Sequence, residues 1–291
     1  MKIDIPNPKD EKEVIPSETK EGVKENQLID MPNEEYHSHD EYLSTSQIKI
    51  LLKKPYLYFN PQPQEHKYVF DIGSMIHTLI LEPEKFVLDY AVAPKCDKRT
   101  AKGKKDWLEF NEKNKDKIVI KSEDFDNCIA LQKAALSVPE VVSLLKGSVS
   151  EMSYFITDKD GIKKKCKPDS FKVNKNSKRI ILDVKSCEDA SPDAFKRDIA
   201  KWGYHIQAPH YLDVLDGDRF VFIAIEKKPP YMTGIYDLPP EDLDLGRDLI
   251  KKAIAISKQP EKYKYPLYNV ESKIITLKLP NWVHYDNEND V

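Results

Sequence analysis

Two carboxylates and a lysine stand in this chain in an order that suits chemistry on phosphate. Residues 179–187, RIILDVKSC, read as a strand. Strand side chains alternate between faces, so Ile180, Leu182 and Val184 point one way, toward a core, while Ile181, Asp183 and Lys185 point the other. Asp183 and Lys185 therefore leave the strand together, about 7 Å apart at ~3.3 Å per residue. Pro168-Asp169 lies fourteen residues before Asp183, a separation that fits two strands joined by the turn NKNS and lets both carboxylates meet at one site. Such oxygen ligands suit hard divalent cations, and magnesium takes one or two carboxylates while keeping waters for a substrate phosphate. A nearby lysine can orient or deprotonate an attacking water and stabilise charge growing on phosphorus. An isolated DxK is more often a surface ion pair, so the motif needs support from its surroundings.

The elements that would position these residues can be read from periodicity. Three strands are expected over 151–157, 163–173 and 179–187, with DKDG and NKNS as turns. Ser191-Pro192 then opens a helix, with serine as cap and proline at the first helical position. That helix leads into YHIQAPHYLDVL, and two strands (RFVFIAIE, MTGIYDL) and a helix over about 240–257 follow. The order β-β-β-α-α-β-β-α predicts an α/β (mixed α+β) core. Upstream, LSTSQIKILLKKPYLYF predicts a helix capped by Ser44 or Ser46, with Ile48, Leu51 and Leu52 at helical spacing. A second helix reads through IGSMIHTLILEPEKF, with Ile72, Met75, Ile76, Leu79 and Ile80 as its buried stripe. Residues 89–121 read as a basic loop, and 122–146 as one helix stopped by Gly147.

Composition sets outer limits. The 291 residues, 40% hydrophobic, suffice for one substantial core. No run approaches the ~20 apolar residues of a membrane span and the first residues lack a secretory core, so a cytoplasmic protein is expected. The four cysteines lack CxxC spacing, which argues against a zinc or iron–sulfur site. Net charge is −3, yet residues 1–35 hold ten acidic residues and five lysines, leaving the remainder at +2. That segment has no aromatic residue before Tyr36 and reads as a disordered acidic tail. Residues 36–265 are expected to form the catalytic domain with a helical roof, and 266–291 a C-terminal extension.

The run KPDSFKV…RIILDVKS…ASPDAFKRDI…YHIQAPHYLDVL, together with LSTSQIKILLKKP, GSMIHTLILEPEKF, VAPKCDKRTAKGKKDW and SVSEMSYF upstream, resembles the PD-(D/E)xK nucleases of the phage and prophage exodeoxyribonuclease VIII type. The similarity covers about residues 36–238. It implies a restriction-endonuclease-like fold, a mixed sheet flanked by helices. By resemblance, Asp169, Asp183, Glu151, the Val184 carbonyl and His77 serve magnesium, for which manganese substitutes; Lys185 is the catalytic lysine. Gln207 and Tyr211 match the family's QxxxY pair, which at helical i, i+4 spacing faces one cleft and positions substrate. Each has a plainer reading: a core histidine, a strand-edge charge at Glu151, ordinary packing for Gln207 and Tyr211.

Lys98, Arg99, Lys102, Lys104 and Lys105, with Lys165 and Lys167 ahead of Asp169, are candidate DNA phosphate contacts, although a charge run is usually a solvated face. Lys167 stands where many relatives carry arginine, which keeps the charge and loses the bidentate fork. The resemblance further implies digestion of the 5′ strand of linear duplex DNA to leave a 3′ overhang for a single-strand annealing partner in recombination, and a ring-like homo-oligomer. Two rivals remain open: an endonuclease on the same scaffold, and a non-catalytic DNA-binding recombination or anti-defence factor.

Overall fold

The computed structural model describes residues 23–62, 72–268 and 274–279. In chain order the helices and strands begin with α1 (Asn33–Ser38), α2 (Thr45–Lys53), α3 (Pro55–Phe59), α4 (Ile72–Leu81), α5 (Pro83–Asp89), β1 (Tyr90–Val92), α6 (Ala101–Lys113) and β2 (Ile118–Ile120). Next come α7 (Ser122–Leu136), α8 (Pro139–Leu145), β3 (Val149–Ser150), β4 (Tyr154–Thr157), β5 (Lys163–Cys166), β6 (Ser170–Val173) and β7 (Arg179–Cys187). The chain continues with α9 (Pro192–Trp202), α10 (Tyr204–Leu215), β8 (Arg219–Glu226), β9 (Thr233–Tyr236) and α11 (Pro240–Ser257). Prolines divide what periodicity reads as single helices. Pro55, Pro83 and Pro139 each open a new helix because a proline cannot donate to the turn before it.

β3-β6-β7-β8-β9 form a five-stranded sheet, antiparallel except for the β7–β8 pair. The parallel pair needs a long crossover, supplied by α9 and α10. On one face Val184, Ile223 and Ile225 pack with Met75, Ile76 and Leu79 of α4 and Cys128 and Leu131 of α7. On the other Ile181, Phe220 and Phe222 pack with Phe195 of α9 and Ala208 and Leu212 of α10. β7 is thus covered on both sides, as parallel strands require, and the face expected to be polar is buried too. α2 and α11 close over the outer side of α10 through Ile48, Leu51, Ile206, Ile250 and Ala253. Among the described residues, no single helix is long and apolar enough to cross a membrane.

Four expectations are corrected. The acidic tail does not reach residue 35: Ile29 and Ser153 exchange backbone hydrogen bonds, and Ile29, Met31, Tyr36 and Tyr42 surround the buried ring of Phe155. Residues 1–22 lie outside the described residues. The basic loop over 89–121 holds the parallel pair β1–β2 and the thirteen-residue α6, whose first turn is capped by Thr100 Oγ1 accepting from Gly103 N at 3.0 Å. The strand over 163–173 is broken between β5 and β6, which belong to different sheets, and the strand over 151–157 is paired only from Tyr154, with β3 just before it in another sheet. β4 pairs with β5 as a separate ribbon, whereas β3 and β6 join the main sheet.

Candidate metal centre and its lysine

The breaks in those two strands lie side by side and make the site. Ser150 pairs with Ser170 on one side of them and Tyr154 with Cys166 on the other, so 151–153 opposes 167–169. Pro168 has no N–H to give to a ladder, which ends pairing there. Glu151 takes a left-handed backbone conformation, φ 54°, unfavourable for a side chain with a Cβ, and its N–H reaches the Asp169 carbonyl at 3.1 Å. The kink turns the Glu151 carboxylate toward Asp169. From α4, His77 Nδ1 comes to 3.4 Å from Asp169 Oδ2. One ligand atom each from His77, Glu151 and Asp169 lies within 4.8 Å of the others.

Asp169 Oδ2 also accepts from the Val184 N–H at 2.7 Å, which ties the break to β7. A strand residue's N–H and C=O leave by the same edge, so the Val184 carbonyl faces this gap as well. Asp183 is 1% exposed and stands apart from the triad: Oδ1 accepts from Gln207 Nε2 at 2.7 Å, and Oδ2 lies 2.6 Å from Lys185 Nζ without a well-directed hydrogen bond. The Lys185 ammonium rests 4.8 Å from the centre of the Tyr204 ring.

Charge is unevenly satisfied here. Burial, then the neighbouring Asp169 charge, pushes the Glu151 carboxyl up to about 7, against a smaller pull from Lys167 and His77. Burial pushes Asp183 up to about 6; Lys185 opposes this and Asp169 adds to it. Burial works against the Lys185 ammonium, but Asp183 and Asp169 outweigh it and hold the group protonated, above its ordinary range. The raised Glu151 carboxyl in the gap, with the buried Asp183 carboxyl raised beside it, marks a desolvated place for negative charge. A histidine nitrogen, carboxylate oxygens and a backbone carbonyl around that gap fit a hard divalent cation.

Gln207 and Tyr211 sit one turn apart on α10, but their polar atoms are engaged within the protein. Gln207 orients Asp183, and the Tyr211 hydroxyl donates to the Lys167 carbonyl at 3.3 Å. Tyr211, Glu151 and Lys167 line a cavity of about 220 Å³ with Asn33, Tyr36 and Ser44 of the roof. One expected phosphate contact, Lys165, is overturned, and Lys167 is engaged within the protein at the lining of the cavity. Lys165 is 2% exposed and donates to the carbonyls of Tyr36 and His39, both at 2.7 Å; burial presses its ammonium down to about 8. Lys167 turns inward, 2.7 Å from Asn33 Oδ1, 3.1 Å from the Met31 carbonyl and 4.0 Å from Glu151 Oε2. The α6 group remains outward: Lys102, Lys104 and Lys105 are exposed, Arg99 grips Asp97, and Lys98 lies over the Trp107 ring.

Sequence reasoning missed Tyr204 and the roof residues Asn33 and Tyr36. Tyr204 was discoverable, since 204, 207 and 211 share one helix face. The roof residues carry no local signal.

Residues 44–265, about three quarters of the chain, match the family described as "PDDEXK-like domain of unknown function (DUF3799)". Among solved structures, the crystal structure of a "Putative exonuclease" from Eubacterium rectale is similar in fold, with 12% identity, a TM-score of 0.50 and coverage of 90% of this chain and 100% of that one. A structure named SSO0001 aligns over 77% of this chain and 95% of its own at 15% identity, with a TM-score of 0.30. No curated protein matches the chain.

Proposed function

The chain belongs to the PDDEXK-like domain family, within the PD-(D/E)xK nuclease superfamily, and from that premise we propose a magnesium-dependent exodeoxyribonuclease acting on linear duplex DNA. The observation that carries the reading is the His77, Glu151 and Asp169 cluster set against the Asp183–Lys185 ion pair. His77, Glu151, Asp169 and the Val184 carbonyl would hold the cation, with Asp183 as a further carboxylate. A bound magnesium or manganese ion supplies Lewis acidity at a phosphate oxygen and acidifies water.

The protein's own groups define the rest. Lys185 is held protonated by its carboxylate neighbours, so in this state it acts as a fixed cation and hydrogen-bond donor toward water or phosphate, with no lone pair free to take a proton. Gln207 keeps Asp183 aimed at Lys185, and the Tyr204 ring keeps the ammonium from swinging away. A 3′ overhang for an annealing partner, a ring-shaped oligomer and α6 as a DNA-contacting arm extend the same reading.

Incubating the protein with end-labelled linear duplex and with closed circular duplex, in magnesium and then in EDTA, tests it. Loss of label from linear DNA only, and only with magnesium, is expected. Cutting of the circle points instead to an endonuclease. DNA binding without cleavage in either cation points to a non-catalytic module.

A further inference from the structure

Lys49, the fifth residue of α2, lies outside the cluster of His77, Glu151 and Asp169. Its neighbours Ile48 and Leu51 are fully buried against Ile206 of α10 and Ile250 of α11, which fixes the helix and directs the Lys49 stem across Gly203. A Cβ on Gly203 would come within 3.1 Å of Lys49 Cε, and the residue sits at φ 68° where α9 ends. The left-handed turn favours glycine there, and the missing Cβ leaves room for the lysine passing over it. The stem ends with Nζ 5.7 Å from the centre of the Tyr204 ring, the ring that Lys185 approaches at 4.8 Å.

Two ammonium groups thus share one aromatic ring in a partly buried setting. Among the described residues, no carboxylate lies within ion-pair distance of Lys49. The acid that acts on it, Asp183, is already paired with Lys185 at 2.6 Å. Burial and the Lys185 charge press the Lys49 ammonium down to about 8, which leaves it largely charged at neutral pH. Like charges that feel each other in a partly buried setting are unfavourable until an anion joins them. The ring softens the cost without removing it.

We propose that Lys49 is a second phosphate-binding cation of this site, contacting a substrate phosphodiester oxygen next to the one served by Lys185. The proposal rests on the nuclease reading above and names a substrate-contacting residue from the N-terminal helices. A compact ammonium on a flexible stem binds such an oxyanion as a point charge, so arginine can keep the contact while a neutral side chain cannot.

The test compares wild type, Lys49→Met and Lys49→Arg on end-labelled linear duplexes. Each duplex carries one neutral methylphosphonate at a defined linkage near the cut. Lys49→Met is expected to lower the cleavage rate about 10²-fold, and Lys49→Arg to retain most of it. At one linkage the methylphosphonate should slow wild type but leave Lys49→Met no slower, because the charge pair is already gone. Equal slowing of both proteins at every linkage, or a Lys49→Met rate equal to wild type, would overturn the proposal and leave Lys49 as a packing residue. If wild type cuts no duplex in magnesium or manganese, the nuclease reading fails by itself. Duplex binding in calcium then decides Lys49: a salt slope reduced by about one in Lys49→Met supports the anion contact, and an unchanged slope overturns it. Melting curves for both variants separate a folding defect from a lost contact.

Discussion

Glu151 and Asp169 sit where two strands break, whereas Asp183 and Lys185 sit inside the unbroken nine-residue β7. The first pair is held by a left-handed backbone and a proline, and its charges lack a full complement of partners. The second is held by sheet pairing on a strand buried from both faces, and its charges largely cancel. The difference separates two tasks. The broken strands give acids freedom to gather round a cation, and the continuous strand fixes one ammonium at a set position beside them. If so, substitutions on the two sides should differ in kind as well as in size.

The largest effect is expected from Asp169→Asn. Asparagine can still accept from the Val184 N–H, so the fold should persist, while the charge shared with His77 and Glu151 is lost. Cation binding measured by calorimetry and cleavage should fall together, the latter by about 10³-fold. Lys185→Ala should break the symmetry. Cleavage drops by about 10²-fold while cation binding survives. Because Asp183 is left buried without its partner, stability should fall by about 3–5 kcal/mol. The double variant Asp183→Asn/Lys185→Met should regain stability without regaining activity. Lys185→Ala melting at the wild-type temperature would show that the ion pair is unimportant to the fold.

The raised carboxyls predict a pH signature. Glu151 sits at about 7 and Asp183 at about 6 in the folded protein, against ordinary values of 4.5 and 3.8. Between each ordinary value and its raised one, the folded state binds more protons than the unfolded state, so stability falls as pH rises. Melting temperature without divalent cation should therefore decline from about pH 4 to pH 7. The gain on adding magnesium should grow over the same interval, since the ion takes the deprotonated acids. A melting temperature flat across that range would remove the claim that these acids are strained. The smallest effect on rate belongs to Lys165→Met. It should leave cleavage and DNA binding unchanged and cost about 1–3 kcal/mol, because the Tyr36 and His39 carbonyls lose their donor.

Lys165 also marks where sequence reading stops. β7 is legible to the residue, since its apolar alternation and turn agree, and Ser44 was among the expected caps of α2, with Gln47 closing a capping box. The grouping of His77 with Glu151 and Asp169 follows the resemblance. The strand breaks were hidden because strand-like sequence such as YFIT and SFKV flanks them; Pro168 was the one local sign. α6 was hidden for the opposite reason: its charged sequence has no strong apolar stripe to reveal it. Lys165 and Lys167 look like a solvated face, and what buries them is chain more than 120 residues earlier, which no local pattern encodes.

Those distant fastenings govern how the protein assembles and breathes. Lys165 reaches back to Tyr36 and His39, and Lys167 to Met31 and Asn33, across separations of 126 to 136 residues. Closing a loop of that length costs chain entropy before any contact repays it, so the N-terminal roof is expected to dock late in folding. It should also be the first part to lift, by local unfolding that leaves β6, β7 and β8 paired. Hydrogen exchange should show it, with the Ile29 and Ser153 amides, bonded to each other's carbonyls at 2.9 and 2.8 Å, exchanging faster than those within β7 and β8. The cavity beneath the roof would then open and close on its own clock, independent of the sheet, and admission to the Glu151 side of the site would be timed by a segment more than 120 residues away in sequence.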